Sequence, residues 1–349
     1  EPYTHTERIL QKSYDYDALD DYAKEVFLDI ACFFNGEKKD YVLRIVPKNC
    51  IEVLVDKAMI TIEWDDRILM HDLLANLGKD IVHKESPNDP GQRSRLWFYE
   101  DVKQVLTEST GTRNIKGIMV KLPAKIPFNP ECFRNMVNLE IFINRNASLC
   151  EHINYLPNAL RFIDWGTCQL QSLPPNFQGN RLVVFNMPHS DIKQLERFKH
   201  LPNLTSMNLS DCQFLEKIPD LSGIPNMKYL DLSACTRLVE VDDSVGLLDK
   251  LVELDLGGCF NLRRVETAFR LKSLEELDLR DCKRLESFPE IEVEMESLQS
   301  LDISGSGIRE LPPSIAYLTE LRKLYLNGCF NFTRFATAFR LKSLEILHL

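Results

Sequence analysis

A small polar residue returns along the chain at Cys168, Ser190, Cys212, Cys235, Cys259, Cys282, Ser306 and Cys329, at intervals of 22, 22, 23, 24, 23, 24 and 23. Such a period belongs to a repeated supersecondary unit. A unit of about 23 residues cannot bury its own apolar face, so neighbouring units must stack into one continuous core. Each polar residue follows an apolar anchor by three, as in Leu204-x-x-Met207-x-Leu209-x-x-Cys212 and Leu251-x-x-Leu254-x-Leu256-x-x-Cys259. Cysteine therefore marks repeat register rather than a disulfide framework.

Within each unit the Leu-x-x-Leu-x-Leu text alternates with period two, which sends its leucines to one face of a short strand. A second apolar pair follows: Leu215 and Ile218, Leu238 and Val241, Leu262 and Val265, Leu285 and Phe288, Ile308 and Leu311, Phe332 and Phe335. These pairs predict the returning limb of a coil, and Pro219, Pro289 and Pro312 directly after them fit backbone outside a strand ladder. The Cys or Ser is expected to turn inward as a compact donor to buried carbonyls. Stacked cysteines one strand spacing apart, about 4.8 Å, fall within the Cα separation of a disulfide, so a reducing compartment is expected. Zinc is not, because local Cys-x-x-Cys or His-x-x-x-His clusters are missing.

Looser units precede these. Leu182, Phe185 and Met187 fit, as do Leu160, Ile163 and Trp165; Leu139 with Phe142, and Ile115 with Ile118 and Val120, fit in part. The array is expected to begin near Ile115. Gly258-Cys-Phe-Asn261 and Thr267 to Glu275 recur 70 residues later as Gly328-Cys-Phe-Asn331 and Thr337 to Glu345, the mark of a three-repeat block copied whole.

The first hundred residues carry helical periodicity instead. Helices are predicted over Glu7 to Tyr14, Asp20 to Phe34, Lys38 to Val46 and Cys50 to Lys57, with Val26, Phe27, Ile30, Phe33 and Phe34 burying the second. Met59 to Trp64 and Arg67 to Met70 read as a hairpin turning at Asp65-Asp66. Leu73 to Lys84 resumes helical spacing, with Asp72 as its expected N-cap and His71 beside it. A helix start carries unpaired N–H groups and a positive dipole, which an adjacent imidazole would complete as a phosphate site. Helices followed by a hairpin predict a winged helix.

Phe27-Leu-Asp-Ile-Ala-Cys-Phe-Phe34, then Met70-His71-Asp72-Leu-Leu74, then Gly91-Gln-Arg-Ser-Arg-Leu-Trp97, in this order and before these repeats, resemble the signatures of plant nucleotide-binding leucine-rich-repeat receptors of the Toll/interleukin-1-receptor subclass. The resemblance implies an α/β fold: a leucine-rich-repeat solenoid with a curved parallel sheet over residues 107–349, preceded by a small helical winged-helix domain over residues 1–106. It implies that His71 approaches the terminal phosphate of ADP in the resting receptor, with Asp72 in support. It also implies ADP and ATP as cofactors of the full-length protein, contact with its nucleotide-binding domain, and a pathogen effector or guarded host protein as partner. The expected compartment is the cytoplasm, with the nucleus as a second.

This chain departs from that family by carrying no phosphate loop: Gly78-Lys79 is followed by Asp80 and has Leu73 where the first glycine belongs. No cofactor and no enzymatic activity are therefore expected of the chain itself. Its start at Glu1 and its end inside a strand at Leu349, with no capping repeat, read as those of a fragment. No apolar run approaches a membrane span and no signal-peptide core opens the chain. A net charge of −10 argues against nucleic acid. Two alternatives remain: an extracellular leucine-rich-repeat receptor ectodomain, for which the sequons at Asn146, Asn203, Asn208 and Asn331 speak, and a winged-helix nucleic-acid-binding regulator, which Glu63, Asp65 and Asp66 on the hairpin oppose.

Outward strand positions form the surface on which such a solenoid binds partners. One column reads Asn208, Asp231, Asp255, Asp278, Asp302 and Tyr325, its neighbour Ser206, Tyr229, Glu253, Glu276, Ser300 and Lys323. Like charges about 5 Å apart repel by roughly 1 kcal/mol per pair in water. Asp231, Glu253, Asp255, Glu276, Asp278 and Asp302 are thus the expected interaction surface for a basic face. So regular an exposed ladder lacks the pocket and the unequal environments that separate a catalytic acid from its base.

Overall fold

A computed structural model describes residues 19–121, 128–145, 152–195, 198, 200–265, 268–332 and 341–349. The helix predicted at Glu7 to Tyr14, the sequon at Asn146, and Phe335 lie outside these residues. The chain divides into two compact units, with the change falling between Phe162 and Ile163.

In the first unit, Asp20 caps the helix Asp21–Asp29 by accepting the Ala23 N–H at 2.7 Å. The stretch predicted as one helix changes type at Ile30. Ile30–Phe34 is a π turn, closed by the Asn35 N–H on the Ile30 carbonyl at 2.9 Å, and all five of its residues are buried. The inserted residue lets this wholly apolar segment bury on all sides, which a regular amphipathic helix does not do. Helices Lys39–Leu43 and Lys48–Asp56 follow, then the predicted hairpin, with Thr61 opposite Leu69 and Ile62 opposite Ile68.

Its turn is longer than the two residues expected. Glu63 donates to Arg67 at 2.9 Å, leaving Trp64, Asp65 and Asp66 between them, and Asp66 takes a left-handed conformation at φ 63°. That is the three-residue hairpin solution, with the left-handed site filled by Asp instead of Gly. The next helix, Asp72–Glu85, lies close against the π turn: a Cβ added at Gly78 would come within 2.6 Å of the Ala31 Cβ.

The parallel sheet starts earlier than the predicted Ile115. Arg95–Leu96 pairs in parallel with Gly117–Ile118, and Gly117–Lys121 with Ile141–Arg145. Arg95 hid this strand, since a charge at a core position reads as loop. Here it is only 2% exposed and its guanidinium is matched by carboxylates.

In the second unit, the strands Val184–Asn186, Ser206–Asn208, Tyr229–Asp231, Glu253–Asp255, Glu276–Asp278, Ser300–Asp302, Lys323–Tyr325 and Ile346–His348 pair in parallel and in chain order. The anchors and the returning pairs through Leu311 are buried as predicted. Part of the returning limb also pairs, Glu240–Val241 with Arg264–Val265, and Pro312 caps the 3-10 turn Pro313–Tyr317.

Each turn of the solenoid pivots on a left-handed residue directly before the Cys/Ser column: Thr167, His189, Asp211, Ala234, Gly258, Asp281, Gly305 and Gly328, at φ between 55° and 74°. The N–H groups from Thr167 to Gly305 in this series reach the following repeat, as from Ala234 to Gly257 O at 2.6 Å and from Gly258 to Arg280 O at 2.7 Å. The cysteines then donate backwards by one repeat. Cys235 reaches Leu209 O at 3.1 Å, Cys259 reaches Leu232 O at 3.2 Å, Cys282 reaches Leu256 O at 3.1 Å and Cys329 reaches Ile303 O at 3.0 Å. Burial pushes the thiols of Cys168 and Cys282 up to about 12, and those of Cys212, Cys235 and Cys259 upward as well, so the column holds thiols rather than thiolates.

The expected consequence is that Cys259→Ala destabilises the repeats by about 1–2 kcal/mol, through a lost donor and a small void. Cys259→Ser should cost less, because Ser190 and Ser306 fill the same position in their own repeats. Urea denaturation followed by circular dichroism measures both.

Candidate functional site

The helix Asp72–Glu85 begins with a correction. Its N-cap is His71, not Asp72: the imidazole Nδ1 accepts the Leu73 N–H at 3.2 Å, while the His71 carbonyl accepts from Leu74 at 2.8 Å and from Ala75 at 3.0 Å. Asp72 is the first helical residue, where its charge complements the helix dipole. Both side chains are exposed. Imidazole can cap in place of carboxylate because its ring nitrogen has the same acceptor lone pair at a similar reach. An Nδ1 that accepts carries no proton, so the neutral ring carries its proton on Nε2.

The Gly91–Trp97 segment is a charge relay of structural kind. Arg93 donates to Asp101 at 2.6 Å and to the carbonyls of Ser86 at 2.8 Å and Pro87 at 3.0 Å. Ser94 gives its N–H and hydroxyl to Glu85 at 2.6 and 2.8 Å. Arg95 bridges Asp29 at 2.7 Å and Glu25 at 2.8 Å, and Lys116 joins Glu25 at 3.0 Å. Burial pushes the Asp29 carboxyl up while the Arg95 fork pulls against it. Burial also raises Glu25, but Arg95 and Lys116 together outweigh it and hold that carboxyl low. These partners, and Asn35 hydrogen-bonded to both backbone groups of Met70, escaped sequence reasoning. Only the position of Asp29 and Asn35 in and beside the Phe27–Phe34 motif pointed to them.

On the repeat sheet the predicted acidic residues do come together. Asp231, Asp255, Asp278 and Asp302 occupy successive rungs of one register, and Glu253 is directly opposite Glu276. The two columns are not equivalent. Each aspartate is half-buried and spends Oδ1 on the backbone two residues ahead: Asp231 on Ser233 at 2.9 Å, Asp255 on Gly257 at 2.8 Å, Asp278 on Arg280 at 2.9 Å, Asp302 on Ser304 at 2.8 Å. These Asx turns end the strands. Glu253 and Glu276 are exposed. Asn208 makes the same turn with an amide, to Ser210 N at 2.8 Å.

Residues 20–86 match the family model described as the Roq1-like disease resistance protein winged-helix domain, and residues 203–223 and 297–318 match leucine-rich-repeat models. TMV resistance protein N of Nicotiana glutinosa is 37% identical over 343 residues, covering 95% of this chain and 30% of that protein. Disease resistance protein RPP2A of Arabidopsis thaliana is 33% identical over 346 residues, covering 94% of this chain and 26% of that protein. The chain belongs to the plant nucleotide-binding leucine-rich-repeat receptors of the Toll/interleukin-1-receptor subclass. It spans 30% and 26% of the lengths of these two relatives. As in that family, a winged helix precedes leucine-rich repeats here, and the relatives are disease resistance proteins.

In this receptor segment the acidic register has an electrostatic cost. Burial pushes the Asp255 carboxyl up to about 6, Asp278 and Asp231 add to the rise, and the Gly257 N–H and Arg280 oppose it. Asp278 is raised too, chiefly by burial, although Arg280 pairs with it at 3.0 Å. A carboxyl raised in the folded state binds more protons folded than unfolded. Its contribution to stability is therefore present below the ordinary value of 3.8 and lost as pH rises through about 6. Asp255→Asn keeps the turn acceptor and removes the charge. We expect the variant to be more stable than the parent by about 1 kcal/mol near neutral pH, with the gap closing near pH 4. Thermal melts at the two pH values test this, and a variant less stable at neutral pH contradicts it.

Proposed function

We propose that this chain is the switch-and-sensor part of an intracellular disease-resistance receptor. The observation that carries the proposal is the His71 ring: held by Nδ1 at an exposed helix start, it leaves an Nε2–H as the donor offered to an approaching phosphate oxygen. The Leu73 N–H is already taken by the ring, so the imidazole does the work that a bare helix terminus would otherwise do. In this reading His71 senses the terminal phosphate of ADP, and Asp72 supports it by steadying the first helical turn. ADP and ATP are cofactors of the full-length receptor, whose nucleotide-binding domain supplies the remainder of the pocket. ATP hydrolysis and NAD cleavage belong to other domains, and no catalysis is assigned to these residues.

Replacing His71 by Ala in the complete receptor removes one hydrogen bond to a charged group. ADP release should accelerate by roughly 10-fold or more, read by exchange of bound labelled nucleotide. Unchanged release would refute the role.

The repeats bind protein in this reading: a pathogen effector or a guarded host protein when active, and the receptor's own nucleotide-binding domain at rest. Asp231, Glu253, Asp255, Glu276, Asp278 and Asp302 present a basic partner with carboxylates that the sheet has already brought together, so that binding relieves their repulsion. Nucleic acid is not a partner in this reading, and no helix among the described residues is long and apolar enough to cross a membrane. The buried column thiols Cys212, Cys235, Cys259 and Cys282, which stack without disulfides, favour a reducing compartment, the cytoplasm with the nucleus as a second. Reversing Glu253 and Glu276 to Lys should either release the resting receptor, read as defence output without pathogen, or abolish its response. A double variant that rests and responds like the parent removes the ladder from the interface.

A further inference from the structure

The π turn Ile30–Phe34 leads into a backbone run that pairs with the hairpin. Gly36 N donates to Ile68 O at 2.8 Å, Ile68 N to Glu37 O at 2.9 Å, and Lys39 N to Asp66 O at 2.8 Å. Gly36, left-handed at φ 88°, and Glu37 together oppose Ile68 as a bulge, and beyond it Asn35 comes to Met70 through its side chain. The Asn35 N–H cannot serve there, because it closes the π turn on Ile30 O at 2.9 Å. The side-chain amide takes over: Oδ1 accepts the Met70 N–H at 2.9 Å and Nδ2 donates to the Met70 carbonyl at 3.2 Å. A primary amide offers donor and acceptor together, as a peptide does; Asp lacks the donor and Gln is one carbon longer.

Met70 is the residue before the cap. With both of its backbone groups held, the entry to His71 is fixed, and His71 takes φ −57°, ψ 140°, the extended cap geometry. The same turn grips the helix further along, where Gly78 meets Ala31. The helix entering the turn, Asp21–Asp29, is itself anchored through Asp29 and Glu25 to Arg95 on the first strand of the parallel sheet. One line of contacts from Arg95 to His71 thus runs through a short segment, Asp29 to Asn35; a second runs from Ser94 to Glu85 at the far end of the helix that His71 caps. π turns of this kind occur frequently at functional sites.

We propose that Asn35 is the positioning residue of His71, coupling the ring that caps Asp72–Glu85 to the strand that opens the repeat sheet. Its functional meaning rests on the nucleotide-sensing role of His71, but its physical content does not. The test uses this chain without nucleotide. Amide exchange is measured at Met70 and Leu73, and the His71 ring nitrogens are followed by nitrogen NMR, which distinguishes a proton on Nε2 from one on Nδ1.

Asn35→Ala should speed exchange at Met70 and Leu73 by about 10-fold relative to the rest of the domain, the equivalent of one lost hydrogen bond, and move the ring toward a mixture of tautomers. Asn35→Asp keeps the acceptor for Met70 N–H and should recover much of that protection. Leu54→Ala, a core truncation outside this line of contacts, serves as the control and should raise exchange across the domain without singling out these two amides. If Asn35→Ala behaves like Leu54→Ala, or leaves Leu73 and the ring unchanged, Asn35 does not position His71. If it fails to fold, Asn35→Asp decides: a ring at parent tautomer with unprotected Met70 overturns the proposal. Nucleotide release from the complete His71→Ala receptor is a separate measurement, so the sensing role and the positioning role can fail independently.

Discussion

The N-terminal unit depends on a buried guanidinium. Arg95 is only 2% exposed, and a charge so placed costs several kcal/mol unless carboxylates meet it in good geometry. Asp29 and Glu25 do so, both from the helix Asp21–Asp29. The strand Arg95–Leu96 can therefore form stably only with that helix docked. The helix in turn leaves Asp29 buried beside apolar neighbours unless Arg95 is present. Arg93 and Ser94 extend the same logic to the end of the helix Asp72–Glu85, through the Ser86 and Pro87 carbonyls and Glu85. Three consecutive residues of one motif tie two helices to the first strand of the sheet, which is why winged helix and opening strands fall in one compact unit.

The repeats solve a different problem, that of turning a chain inward after a strand of only three residues. Three devices act at successive positions. A strand-end Asp or Asn accepts the N–H two residues on, a left-handed residue reverses the path, and a thiol then satisfies a carbonyl of the previous repeat. Each device joins adjacent repeats or prepares the next bond that does, so a single coil has no closed set of hydrogen bonds. This is the backbone counterpart of the unburied apolar face that makes stacking obligatory.

The two halves of that corner differ in how visible they were. Cys and Ser share a size and a donor, so their column stood out in the text, and with it the strands, the returning limb and the acidic register. The left-handed column holds Thr, His, Asp, Ala and Gly, residues with no common chemistry, because the constraint there acts on the backbone and the following repeat's carbonyl compensates the strain. The same distinction applies in the winged helix. Helix Asp21–Asp29 and the hairpin showed through their apolar pattern. The π turn, the three-residue loop at Trp64–Asp66 and the His71 cap did not, since each depends on which hydrogen bond wins locally. Arg95 was concealed for another reason: a polar side chain buried with its partner looks, in sequence, like one exposed to water, and the exposed Asn35 looks like any surface amide although it holds a backbone.

What the strand ends require and what they carry are not the same. Asn208 holds its turn through Ser210 N and Oγ, both at 2.8 Å, and Asp231 holds the next through Ser233 N at 2.9 Å and Oγ at 2.6 Å. An amide and a carboxylate thus serve the turn equally, so the fold needs the oxygen and not the charge. Four successive rungs nevertheless carry carboxylates, Glu253 and Glu276 face each other in the adjoining column, and Arg280 offsets the charge at Asp278. The Asp255 and Asp278 carboxyls are raised chiefly by their own burial, and the neighbouring carboxylates add to the rise. The share of that rise due to neighbouring carboxylates is one the turns do not require, and it is the share that the proposed cationic partner would relieve.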